Sequence, residues 1–238
     1  MKDRCRALWA AAVATLCACG GDGRSIDLPP PRLIEVDFGA DSAGWTGATA
    51  DYGPTTAPVD ALHEASALPA PLSGQGFRLS GTNRSDDLFV YIVRRFDGFV
   101  PGVRYQVQFE VQFASRAASG CVGVGGAPGE SVWVHAGATP SQPQTVLDGG
   151  RWRVDIDRGN QATGGTQGVV LGDIANGRSD CGRTGVFTSK RLPGPHAPHQ
   201  VQADSAGRLW LHLGMDSGFE SYSEIHLQRL TARFSPAP

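Results

Sequence analysis

Two short segments each carry a tryptophan and a histidine at alternate positions. In residues 131–135, Val132 and Val134 fall on one side of an extended chain, leaving Trp133 and His135 on the other. In residues 208–213, Leu209, Leu211 and Leu213 oppose Trp210 and His212. A third segment, residues 103–113, offers Gln108 and Glu110 between Gln106 and Gln112, all away from its apolar side. Placed in one sheet, these segments would give a non-core face of two indoles among amides, imidazoles and a carboxylate. Sugars present apolar C–H faces and rims of hydroxyls, and that mixture matches them. Trp133, Trp210, Gln108, Glu110, His135 and His212 are therefore the candidate glycan-binding residues.

Oxygen donors form a second set. The run Asp155-Ile-Asp157-Arg-Gly159-Asn160 places three of them around a glycine bend. Asp155, Asp157 and Asn160 are thus candidate ligands for a structural Ca²⁺, although the third Asp and distal Glu of an EF-hand are missing. Asp86, Asp87, Asp173, Asp180, Asp216 and Glu220 are further oxygen donors on expected turns. Aspartates in loops also bond their own backbone amides, so turn-making is the competing role. The glycine run from Cys121 to Glu130 has Pro128 where a nucleotide loop needs its third glycine, and no strand–helix unit follows. Its glycines permit close backbone approach or shape a loop. Glu130 with His135, or Glu110 with a loop carboxylate, are the available acid–base pairs. No Gly-x-Ser-x-Gly or His-Glu-x-x-His run is present, so no catalytic residue is assigned. His196 and His199 sit among prolines and glycine and stay unassigned.

These side chains need extended elements to hold them. Apolar residues occupy every odd position from 103 to 113, which predicts one unbroken strand roughly 35 Å long. So long a strand needs neighbours along its length, and it belongs near the centre of an antiparallel sheet. Tyr105, Val107, Phe109 and Val111, with Leu209, Leu211 and Leu213, are the expected core. Further strands are expected at 32–38, 77–79, 88–96, 119–124, 131–135, 151–156, 168–171 and 199–203. In the last strand Ile225 and Leu227 are in phase, but Leu230, Ala232 and Phe234 are in the opposite phase. One extra residue at Gln228-Arg229 reconciles them, which is a β-bulge. Residues 39–74 show no sustained period, so they are expected to wrap over the strands with Trp45 and Tyr52 as anchors. With 32 glycines and 16 prolines in 238 residues, the fold class is all-β: a two-sheet antiparallel jelly-roll β-sandwich with long glycine-rich loops, forming one domain over 33–235.

The N-terminal residues are a targeting segment. Lys2, Arg4 and Arg6 precede a short apolar stretch, too short to span a bilayer. Leu16-Cys17-Ala18-Cys19 then resembles the lipobox of bacterial lipoproteins. That resemblance implies cleavage after residue 18, lipid on Cys19, and a tether over 19–32 ending in Leu28-Pro29-Pro30-Pro31. It places the protein in the bacterial cell envelope, held by its lipid at the outer membrane or cell surface. Cys121 and Cys181 then remain, in an oxidising compartment, and are expected to be bonded. The formal net charge of −2 and the scattered basic residues argue against a nucleic-acid partner.

The central strand, Gly44-Trp45, and the closing Asp216-Ser-Gly-Phe-Glu220 resemble the galactose-binding-like jelly-rolls used by many carbohydrate-binding modules. The likeness spans residues 33–234 in layout. It implies the two-sheet sandwich, a structural calcium and a glycan site. A glycan-binding lipoprotein is the leading reading; a polysaccharide hydrolase or lyase and a structural or assembly lipoprotein are the alternatives.

Overall fold

The computed structural model describes residues 28–182, 185–194 and 199–237. The expected targeting segment 1–18, Cys19, most of the expected tether and His196 lie outside the described residues. Within them the strands are, in chain order, β1 (Arg32–Asp37), β2 (Thr46–Ala50), β3 (Val59–Ala67), β4 (Gln75–Thr82), β5 (Leu88–Phe96), β6 (Arg104–Ser115), β7 (Val132–Thr139) and β8 (Thr145–Asp148). There follow β9 (Arg151–Val154), β10 (Gly159–Asn160), β11 (Thr163–Gly164), β12 (Val169–Asp173), β13 (Thr188–Pro193), β14 (His199–Gln202), β15 (Leu209–Ser217) and β16 (Tyr222–Ala237). No helix occurs among the described residues.

One sheet is built on two long strands. β6 and β16 pair antiparallel from Ser115 opposite Ile225 to Arg104 opposite Ala237. On its other side β6 takes β13 and then β14, end to end; β16 likewise takes β4 and then β1. β3 closes the far edge on β4. The second sheet runs β12-β7-β15-β5-β2. Side chains from both sheets meet in one core, and the molecule is a two-sheet antiparallel β-sandwich.

The period-2 signals hold at the core. Tyr105, Val107, Phe109 and Val111 are at most 2 % exposed, and Leu209, Leu211 and Leu213 are fully buried. The register of β16 against β6 shifts between Leu227 and Arg229, so Gln228 is the extra residue. Ile225, Leu227, Leu230, Ala232 and Phe234 consequently all reach the core.

Three expectations are corrected. Residues 39–74 are not an irregular wrap, because they hold β2 and β3, one edge strand for each sheet. β3 hides its period behind a register shift between Val59 and Leu62, where Asp60 has φ +55°. β2 is made of small residues because a Cβ at Gly47 would collide with the His63 ring at 2.2 Å. Residues 119–124 form a glycine-bent loop rather than a strand. Residues 151–156 do not enter the sandwich: β9 pairs with β8 as a separate hairpin, and Trp152 is 36 % exposed.

Candidate functional site

The structure divides the expected glycan platform between two sheets. Trp133, His135, Trp210 and His212 lie on β7 and β15, whereas Gln108 and Glu110 lie on β6 in the other sheet. Glu110 is engaged there by Arg191, which donates to Oε2 at 2.6 Å. The two indoles are half-buried and far apart. Trp133 stands opposite Asp216 and Trp210 opposite Thr139, six residues along β7 or about 20 Å. Trp210 packs on a small second cluster with Phe89, Tyr91 and Val93. There is no shared platform.

The histidines are sealed in. Residues 144–168 lie over the outer face of the second sheet, and His135 and His212 hold them there. The His135 Nε2–H donates to the Gln161 carbonyl at 2.7 Å, and that of His212 to the Gln167 carbonyl at 2.8 Å. The Tyr91 and Thr145 hydroxyls bond at 2.9 Å on the same face. Burial pushes the pKa of His212 down to about 3 and lowers that of His135, so both rings are neutral posts for the cover. Gly137 makes room for this arrangement: a Cβ there would stand 2.2 Å from the His212 ring.

The expected calcium loop is occupied with its own backbone. Asp155 Oδ1 accepts the Gln144 N–H at 2.8 Å. Asp157 accepts the N–H and hydroxyl of Thr166 at 2.9 and 2.8 Å, and these bonds lower its pKa. With Asn160 also exposed, Asp155, Asp157 and Asn160 act as turn-makers on an open surface.

Carboxylates instead converge beneath the cover. Asp51 follows β2, Asp87 precedes β5 and Asp216 lies on β15; one oxygen of each falls within 4.8 Å of the others. Arg158 reaches in from the cover, 3 % exposed, donating to Asp216 Oδ2 at 2.5 Å and to Asp51 Oδ2. Its guanidinium stacks 4.0 Å above the Phe89 ring. Burial, then the charge of Asp216 and a side-chain hydrogen bond with it, then the charge of Asp51, push the Asp87 carboxyl up to about 8 despite Arg158. Asp87 and Asp216 were visible in the sequence as oxygen donors. Nothing marked Asp51, and Arg158 drew no role of its own within the run 155–160, since their meeting depends on the cover.

The larger opening lies elsewhere, at the end of the sandwich where β16 begins. A cleft of about 480 Å³ is bordered by the Cys121–Cys181 disulfide, whose Cα atoms are 5.5 Å apart. Half-buried Phe219 and Tyr222 supply rings. Glu224 lies between Arg78 (3.0 Å), Arg116 (3.3 Å) and His226 (3.1 Å). Burial alone would raise the Glu224 pKa, but the His226 hydrogen bond and the arginine charges outweigh it and leave it below the usual range. Ser223 is 4 % exposed, lines the cleft, and its hydroxyl has no protein partner. The glycine run forms one wall by close approach. A Cβ at Gly123 would stand 2.4 Å from the Phe219 ring, and Gly125, at φ +72°, passes close to the Gly218 carbonyl.

No protein-family model matches the chain, and no curated protein sequence matches it. Among solved structures it is similar to the carbohydrate-binding module TmCBM27, described for specific mannan recognition. The identity is 12 % and the TM-score 0.38, over 87 % of this chain and 99 % of that one. It is also similar to the K3 cleaved adhesin domain of Lys-gingipain from Porphyromonas gingivalis, at 11 % identity and TM-score 0.37 over 86 % and 99 % of the two chains. A third likeness is to the Caldicellulosiruptor saccharolyticus module CBM27-1 in complex with mannohexaose, at 12 % identity and TM-score 0.34 over 84 % and 96 %.

Proposed function

We propose that this chain is an exported, lipid-anchored envelope protein that binds glycan in the cleft beside the Cys121–Cys181 disulfide. The observation that carries the reading is the lining of that cleft. Phe219 and Tyr222 offer ring surface for the C–H face of a sugar. Arg116 and Asp180 offer donors and acceptors for its hydroxyls. The volume falls within the range of small-ligand sites, and the opening suits a short saccharide. Binding is favoured over hydrolysis because Glu224 is held ionised between cations, the wrong state for a general acid. The disulfide fits an oxidising compartment, and Cys19 is the residue on which the anchor rests.

The test is a glycan array on the purified protein, with each hit measured by calorimetry. Phe219→Ala and Arg116→Ala should each weaken binding tenfold or more, about the 1–3 kcal/mol that ring stacking supplies elsewhere. Near-UV circular dichroism should be unchanged. Trp133→Ala, outside the cleft, should bind as wild type. Unchanged affinity in both cleft variants would sink the reading. The anchor is checked by fractionation: Cys19→Ser should move the protein from membrane to soluble fraction, and no movement refutes lipidation there.

A further inference from the structure

The cover over residues 144–168 is seated on the second sheet largely through Gln161 and Arg158. Gln161, held at φ +45°, donates its N–H to Asp216 Oδ2 at 2.6 Å and its side-chain amide to the Asp86 carbonyl at 3.1 Å. Its own carbonyl accepts from His135 at 2.7 Å. Arg158 joins Asp216 to Asp51. Beside this seat the carboxyl groups of Asp87 and Asp216 hydrogen-bond to each other, which two carboxyls do only by sharing a proton. Asp216 receives the donors of the cover, as an ionised group does, so the proton belongs to Asp87. The surrounding charges agree. Asp87 is faced by Asp216 from β15, by Asp51 from the end of β2 and by Arg158 from the cover. His135 of β7 is 3.7 Å from Asp216 Oδ2, but burial lowers its pKa and keeps the ring neutral. From β9, Arg151 donates to the Asp51 carbonyl, and Arg153 borders a pocket of about 200 Å³ that opens onto Asp87 and Arg158. That pocket gives water and the proton a route to Asp87.

We propose that residues 144–168 form a proton-gated lid: the proton shared by Asp87 and Asp216 holds it shut over the second sheet, and losing that proton lets it lift. Burial is the largest influence on the Asp87 carboxyl and the attraction of Arg158 the smallest. An ionised Asp87 therefore gains more from water entering under a lifted cover than it loses by parting from Arg158. The sign follows from linkage. Closing raises the Asp87 pKa from 3.8 to about 8, so its contribution to closure is complete below 3.8 and is lost as the pH rises through about 8. Lifting would bare Phe89, Tyr91, His135 and His212, the groups that the cover touches on that face. The disulfide-bordered cleft lies outside this gate.

Amide hydrogen exchange of the purified protein, corrected for intrinsic exchange at each pH, reads the opening directly. Protection of the Gln161 and Gln167 amides should fall at least tenfold between pH 5 and pH 8 and level off above about 8. The β6 amides should remain far better protected throughout, since the lid lifts without the sheets. Asp87→Asn keeps a donor toward Asp216 but cannot ionise, so its cover should show the same protection at both ends of that range. A wild-type cover with no pH dependence overturns the proposal, as does an Asp87→Asn cover that keeps the wild-type response. Loss of β6 protection together with the cover overturns it too, because no separate lid then exists. If Asp87→Asn fails to fold, carboxyl ¹³C titration of the wild type decides. One aspartate titrating near 8 supports the gate, and all aspartates titrating in the ordinary range refute it.

Discussion

Arg158 shows how much one side chain can organise when it is buried. It is 3 % exposed, joins Asp51 to Asp216 and lies on the Phe89 ring, so it connects the cover to the face it covers. A buried ion pair adds little over a well-packed apolar replacement of the whole set, because desolvation offsets the attraction. Removing one partner is different, since it leaves the remaining charge buried and alone. Arg158→Met should therefore cost about 3–5 kcal/mol in urea unfolding, while the double variant Arg158→Met, Asp216→Asn should recover much of that loss. A single-variant loss below about 1 kcal/mol would mean that solvent already screens the cluster.

At the scale of the elements, legibility follows the side on which a strand is buried. β6 and β15 were readable because each alternates apolar and polar residues without interruption, and each is packed on the core along one face. The bulge at Gln228 was readable for the same reason: a phase break between two clean apolar runs admits one extra residue and little else. β2 and β3 were not, since edge strands bury less and their sequences carry small or exposed residues in mixed phase. The tryptophan–histidine face was half legible. Phase correctly put Trp133 with His135 and Trp210 with His212 on the outer side of one sheet, but phase carries no information about what lies over that side. The cover over 144–168 is polar and turn-rich, and it is held by hydrogen bonds to buried histidines and tyrosine rather than by an apolar stripe that would have announced it. The disulfide-bordered cleft was hidden for a related reason. Arg116 is distant in sequence from Phe219 and Ser223, and the pairing of β6 with β16 brings the end of one strand beside the start of the other.

For the whole molecule, the sandwich and its cleft depend on different forces. The sheets rest on continuous apolar burial between two layers, to which the loops at the β16 end add a few contacts such as Ala117 and Phe219. The cleft wall at 119–126 has no strand pairing. Besides its glycine contacts it is fixed by the Ser119 N–H to the Arg178 carbonyl (2.6 Å), the Gly120 N–H to Glu130 (2.7 Å) and the bond from Cys121 to Cys181. That covalent link spans a sequence separation of 60, for which chain entropy gives about 4 kcal/mol of stabilisation. Replacing both cysteines by serine should lower the stability by an amount of that order in urea unfolding, with the core strands still protected in hydrogen exchange. The wall should loosen before the sheets do, so limited proteolysis should cut first within 119–126, and saccharide affinity should fall with it. Were the double variant as stable as wild type and as resistant to cleavage in that loop, the hydrogen bonds and the glycine contacts with Phe219 and Gly218 would be holding the wall, and the disulfide would have no part in shaping the cleft.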